Sequence, residues 1–162
     1  MACSPPRAPA TLFPAHTERR EGLEKKTGRF LSKHAALRHE TIQWLMFQMS
    51  AVGPMFGQLG FFHKFAGREF ADKRPRDHYV AESRRLLGVL DRRLADRTWI
   101  VDDPYGIADI ATFPLVRNLI GFYEAGTLVG IADFPRVERT LEAFLARPAV
   151  VRGLEIPRRA AG

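Results

Sequence analysis

The side chain best placed for capping or acid–base chemistry is Asp109, in the run YGIADI at residues 105–110. If Gly106 is a helix N-cap, Asp109 is the third helical residue, and its carboxylate can accept a hydrogen bond from the Gly106 N–H. A carboxylate there also meets the positive end of the helix dipole. Tyr105 and Ile110 have the spacing of a hydrophobic staple across the same turn. A catalytic acid would need a partner base and a pocket, and the sequence identifies neither, so we predict a structural cap.

Other catalytic and metal-binding patterns do not emerge from the sequence. The histidines lack zinc-ligand spacing supported by a carboxylate or thiol. The single cysteine, Cys3, cannot form an internal disulfide, which is typical of a reducing compartment. There is no phosphate-binding glycine loop and no nucleophilic serine between paired glycines. We therefore predict no catalytic residue and no metal site in this chain. The histidines are His16, His34, His39, His63 and His78.

The elements that position these residues are helices. Apolar residues recur at three- to four-residue spacing from residue 37 to 65, and Gly53-Pro54 predicts a kink or break there. A second helix is expected over 76–96. A third, from 107 to about 123, is apolar on nearly all sides, which predicts a buried central helix bent at Pro114.

Two further helical segments are expected towards the C-terminus. Pro135 suits the first position of a helix, and Pro148 ends that helix because the preceding residue avoids helical geometry. A short helical piece at 149–154 is expected to follow. The sequence shows no convincing strand and no hairpin signal, so the predicted class is all-α.

The composition is that of an ordinary globular chain with a basic balance. Lysine and arginine number 25 against 18 acidic residues, a net charge of +7. The basic groups are interleaved with acids along the 76–96 helix, so we interpret them as a solvated face and do not favour nucleic-acid binding. No apolar run reaches the roughly 18 residues needed to span a bilayer, and no secretory signal is evident. We expect a cytoplasmic protein with no membrane contact.

Several segments in order resemble the C-terminal helical domain of glutathione S-transferases. The similarity runs from about residue 23 to 153. Within the family, the chain most resembles the bacterial subgroup that is related to disulfide-bond reductases and to the yeast nitrogen-regulation prion protein. The segments are QWLMFQ at 43–48, VGPMFGQ at 52–58, IADIATFP at 107–114, FPRV at 134–137 and ARPAV at 146–150.

This resemblance implies a domain organisation. Residues 1–22 are expected to be a disordered tail, 23–34 a remnant of the linker and last helix of a thioredoxin-like domain, 35–155 the helical domain, and 156–162 a second disordered tail. In the family, the thioredoxin-like domain binds glutathione and activates its thiol. The expectation is therefore an all-α bundle in which that N-terminal domain is absent and which binds no cofactor alone, glutathione being the family's co-substrate.

The resemblance also implies roles for particular residues. Met46, Phe47, Met55 and Phe56 are expected to line the second-substrate cleft or a subunit interface, with plain core packing as an equal alternative. The subgroup often has an arginine before the tyrosine of the second helix, where it can contact glutathione; this chain has His78 there. Histidine is shorter and lacks a permanent charge, so the contact would be weaker. The family's cap usually begins with serine or threonine, where this chain has Gly106.

Two functions follow as expectations. The first is a glutathione S-transferase-like domain that forms the cleft wall and dimer interface for glutathione-dependent transfer or disulfide reduction, and is inactive alone. Its partners would be a second copy of the chain or a thioredoxin-like domain. The alternative is a non-catalytic helical interaction module, since a helical domain without its partner domain exposes apolar surface.

Overall fold

The computed structural model describes residues 30–101 and 105–156, and these residues form helices joined by turns, with no strand among them. The predictions for residues 1–29 and 157–162, including both tails and Cys3, lie outside this part of the chain. The helices are α1 (Ala35–Phe47), a π-helical turn (Gln48–Val52), α2 (Gly53–Lys64), a 3-10 turn (Ala66–Glu69), α3 (Arg74–Arg93), α4 (Ile107–Arg117), a second π-helical turn (Asn118–Phe122), a 3-10 turn (Ile131–Asp133), α5 (Pro135–Leu145) and α6 (Pro148–Leu154).

The predicted interruption at Gly53-Pro54 takes the form of a π-helical turn that joins α1 to α2. Proline has no N–H and its ring crowds the carbonyl one turn earlier, so the regular ladder cannot pass through Pro54. Instead, the Gly53 N–H bonds to the carbonyl of Gln48, five residues back. The wider turn absorbs the proline without ending the helix.

A second proline is tolerated inside α4. Pro114 lies on the exposed side of this helix, so the hydrogen bond it removes is lost on the solvent face. The helix continues to Arg117 and then widens into the second π-helical turn. At the end of that turn the Tyr123 N–H donates a hydrogen bond to the Asn118 carbonyl at 2.8 Å. The predicted helix up to residue 123 is therefore present with its last turn widened.

The predicted central position of α4 is confirmed. Its residues Ala108, Phe113 and Val116 are fully or almost fully buried in the main core, and the helix packs against α1 and α5. The core is completed by the apolar stripe of α3 and by inward residues of α2 and α5. Its largest fully buried members are Phe56, Phe113, Leu59, Leu86, Leu87, Leu90, Leu94, Ile100, Leu119, Val52, Val116 and Val129.

The start of α5 is capped by a side chain from α3. Pro135 occupies the first helical position, as predicted, and Phe134 at the N-cap supplies no capping side chain. The Arg136 N–H donates to Asp91 Oδ1 at 2.8 Å, and the Val137 N–H donates to the same oxygen at 3.3 Å. Asp91 is thus a buried cap provided by another helix.

Candidate functional site

Asp109 is held by two backbone donors at the start of α4. Its Oδ2 accepts from the Gly106 N–H at 2.9 Å, which is the bond expected from the sequence. Its Oδ1 accepts from the Ile100 N–H, also at 2.9 Å. The second bond ties the preceding loop to the helix, and no local sequence signal pointed to it. Glycine has no side chain, so only the carboxylate half of a capping box exists here.

The electrostatics of Asp109 agree with a structural cap. The side chain is 1% exposed, so a substrate has no access to it. Burial raises the pKa of this carboxyl, while the hydrogen bonds from Ile100 and Gly106 and the charge of Arg147 act in the opposite direction. Both carboxyl oxygens already accept hydrogen bonds from backbone amides. A catalytic acid must contact a reacting group, so this arrangement favours the structural role.

The raised pKa of Asp109 predicts a pH dependence of stability. The folded state holds this proton more tightly than the unfolded state, whose carboxyl pKa is near 3.8. Folding therefore binds protons between 3.8 and the raised value, and this carboxyl's contribution to the free energy of unfolding falls as pH rises through that window. We expect the stability difference between the native protein and Asp109→Asn to shrink as pH rises from 3.5 to 6, measured by urea unfolding. A stability difference that is flat or grows with pH would contradict the raised pKa of Asp109.

The aromatic ring of Tyr105 packs against the main core. The Arg147 guanidinium lies over the ring at 3.6 Å from its centre. Its ring neighbours are Trp99 at 4.9 Å, Phe30 at 6.1 Å and Phe144 at 6.2 Å. Ile110, the other residue of the predicted staple, is 36% exposed. The staple between Tyr105 and Ile110 stays a prediction, and the contacts that hold the Tyr105 ring are those of the aromatic and cationic cluster.

The four expected cleft or interface residues occupy different environments. Met46 is 46% exposed, and Phe47 and Met55 are half-buried against the core. Phe56 is 1% exposed, so it has no surface to offer a ligand or a second chain, and for this residue the core alternative applies. Met49, one turn from Met46, is equally exposed, which gives α1 and its π-helical turn an open methionine face.

His78 lies at the edge of an aromatic cluster that no local sequence pattern predicts. Its exposed ring contacts Tyr79 edge-on at 5.2 Å, and Tyr79 stacks on Phe62 at 5.6 Å. The exposed rings of Phe61 and Phe70 complete the cluster. The adjacent phenylalanines were visible in the sequence, but the approach of Phe70 and Tyr79 depends on how the chain turns between α2 and α3.

The basic residues of α3 are engaged in contacts within the domain. Arg84 bonds to the Val129 carbonyl and to Asp133, and Arg85 pairs with Glu82 one turn away. Arg93 pairs with Glu40 of α1 and also bonds to the Ile100 carbonyl. Arg84 and Arg93 therefore serve contacts within the fold, whereas the exposed pair of Arg85 and Glu82 is what a solvated face predicts.

Within the described residues, no group of three or more histidine, cysteine or acidic side chains is arranged to hold a metal ion. In the same part of the chain, no helix combines the length and apolar character that a membrane span requires.

The comparisons with known proteins match the fold. A family model, glutathione S-transferase, C-terminal domain, covers residues 46–148. The helical unit described above is therefore of the glutathione S-transferase C-terminal class. The chain belongs to the glutathione S-transferase family, and the resemblance expected from its sequence is confirmed.

Individual relatives agree with this membership. The disulfide-bond oxidoreductase YghU of Escherichia coli is 35% identical over 135 residues, which cover 81% of this chain and 46% of that protein. A glutathione transferase family member from Pseudomonas fluorescens, solved with two glutathione bound, is 64% identical with a TM-score of 0.83, covering 85% of this chain and 61% of its own. A glutathione transferase from Burkholderia graminis, with two glutathione molecules bound per subunit, is 70% identical with a TM-score of 0.82, covering 85% and 57%.

The chain spans about half the length of the curated relatives it matches, and about three fifths of the solved ones. The activity of those whole proteins is therefore a matter of proposal for this chain.

Proposed function

We propose that this domain forms the wall of a glutathione-dependent transfer or disulfide-reduction site and part of a dimer interface, and that the chain by itself does not activate glutathione. The observation that carries the proposal is the open face of Met46 and Met49, on α1 and its π-helical turn. Two solved relatives of this chain were crystallised with glutathione bound, which supports a glutathione-dependent site. Flexible, polarisable methionines adapt to apolar ligands of varied shape. The nucleophile in this chemistry would be the glutathione thiolate.

The division of labour follows from what the described helices contain. Asp109, a carboxyl of these helices whose pKa burial raises, is buried and occupied with capping. A thioredoxin-like unit, as a separate chain or a second domain, would bind glutathione and ionise its thiol. His78 would contact glutathione at the edge of the aromatic cluster, more weakly than an arginine.

A glutathione titration of the purified chain tests the first half of this proposal. We expect no binding heat by calorimetry, no retention on immobilised glutathione, and no conjugation of 1-chloro-2,4-dinitrobenzene. Robust turnover by the chain alone would refute the statement that it is inactive by itself.

A fusion tests the second half. When the N-terminal part of the Pseudomonas fluorescens relative is joined before residue 30, we expect turnover to appear. Met46→Glu in this fusion should raise the KM for the electrophile and leave the KM for glutathione unchanged, while His78→Arg should lower the glutathione KM about threefold, as expected for an exposed charged contact. Val151→Glu, an exposed apolar residue on α6, is the matched control for Met46. An active fusion in which Met46→Glu and Val151→Glu behave alike would remove Met46 from the cleft.

A second candidate function, a non-catalytic interaction module, is favoured by the exposed phenylalanines at one end of the bundle. Phe65 and Phe122 contact each other at 6.0 Å, and Phe122 is 54% exposed. Apolar patches of this kind mark interaction surfaces. Gel filtration read together with the fusion separates the candidates. Self-association of a chain whose fusion stays inactive supports the module, whereas an active fusion whose electrophile KM depends on Met46 supports the cleft wall.

A further inference from the structure

The chain that precedes α1 lies across the N-terminal end of α4. The Phe30 carbonyl accepts a hydrogen bond from the Ile107 N–H at 2.9 Å. Ile107 is the first residue of α4, so its N–H has no acceptor within the helix. A backbone group from before the first helix therefore satisfies a donor at the start of the fourth.

Side chains reinforce this backbone contact. Leu31 is buried in a small apolar cluster with Leu45 of α1 and with Ile107 and Ala111 of α4, and Phe30 packs on that cluster. The Phe30 ring also meets Tyr105 edge-on, in the cluster that Arg147 covers. The segment is thus fixed to two helices and to the loop before α4.

The backbone at Phe30 is in a conformation that a bulky residue rarely adopts. Its φ is +74°, in the left-handed region that favours glycine. Such a conformation persists only where the surrounding contacts impose it. At Phe30 those contacts are the carbonyl bond to Ile107 and the burial of the next side chain, Leu31.

We propose that Phe30 and Leu31 form an N-terminal clasp, a rigid joint that fixes residues 30 and 31 against the start of α4. The left-handed turn at Phe30 directs its carbonyl to Ile107 while Leu31 enters the groove between α1 and α4. The clasp shares its helix end with Asp109, so the joint and the cap hold the same turn of α4. This inference does not depend on the glutathione proposal.

Amide hydrogen exchange at Ile107, followed by NMR on the full chain, tests the clasp. Phe30→Gly removes the ring but keeps the carbonyl, and glycine adopts positive φ readily, so the exchange rate should stay within about threefold of native. Phe30→Pro fixes φ near −65° and so cannot form the turn, and we expect Ile107 to exchange at least about tenfold faster. Trypsin cleavage after Lys33 should accelerate only in Phe30→Pro.

The amides of Phe113 and Val116, inside α4 and in the main core away from the clasp, are the internal control. Their exchange should be unchanged in both variants, which separates opening of the clasp from unfolding of the helix. Equal Ile107 exchange in native and Phe30→Pro protein would overturn the proposal. It would also be overturned if Phe30→Gly lost the protection as completely as Phe30→Pro, because the backbone turn would then not be what holds the joint.

Discussion

Replacing Asp109 with alanine is expected to lower the free energy of unfolding by about 3 kcal/mol, since one buried and one part-buried backbone donor lose their acceptor. The Ile100 and Gly106 N–H groups would each be left without a partner at the start of the central helix. Removal of a buried carboxylate returns part of its burial cost, which keeps the loss below the sum of two such penalties. Urea unfolding followed by circular dichroism measures the change.

Two further variants test whether this loss comes from the capping carboxylate. Asp109→Asn keeps one carbonyl oxygen but turns an amide donor towards the second N–H, so about half of the loss is expected. Asp96→Ala, an exposed acid on the loop after α3, should change stability by no more than about 0.5 kcal/mol. If Asp109→Ala proved as mild as Asp96→Ala, the carboxylate would not be the cap of α4.

Asp91→Ala is expected to lower the free energy of unfolding by about 2 kcal/mol, the upper end of a helix-cap loss. Pro135 has no N–H, so the first donors of α5 belong to Arg136 and Val137, and both are directed at Asp91 Oδ1. The Arg136 guanidinium bonds the other oxygen at 2.7 Å. This guanidinium is partly exposed and can return to water, which limits the cost of losing the ion pair. Thermal and urea unfolding both report the change.

The matched control is Asp77→Ala, an exposed acid on the same helix whose carboxylate pairs with its neighbour Arg76. We expect it to cost about 0.5 kcal/mol or less. Asp91→Asn should lie between the two, since its carbonyl oxygen still accepts from the backbone while the ion pair is gone. Similar losses for Asp91→Ala and Asp77→Ala would show that α5 starts without help from α3.

Local features of the fold were predictable from the sequence because they depend on residues within one or two turns of each other. Apolar spacing predicted the helices, Pro135 and Pro148 predicted a start and an end, and the strongly apolar run after Gly106 predicted the central helix. The bond from Gly106 to Asp109 spans three residues and follows from the cap geometry alone. The sequence did not predict the form of the interruption at Pro54, because a kink and a π-helical turn can each accommodate a residue that lacks a backbone N–H.

Tertiary structure decided the contacts between residues distant in the chain. The cap of α5 comes from Asp91, 45 residues before Arg136, and a carboxylate at that distance carries no local signal of its partner. The same holds for the hydrogen bond from the Ile107 N–H to the Phe30 carbonyl and for the bond from the Ile100 N–H to Asp109. Met46 and Phe56 are both large apolar residues within apolar helical runs. Met46 is exposed and Phe56 is buried in the core, because burial depends on which helices pack on each face. Sequence periodicity specifies which residues form a helix, and only packing specifies what each face meets.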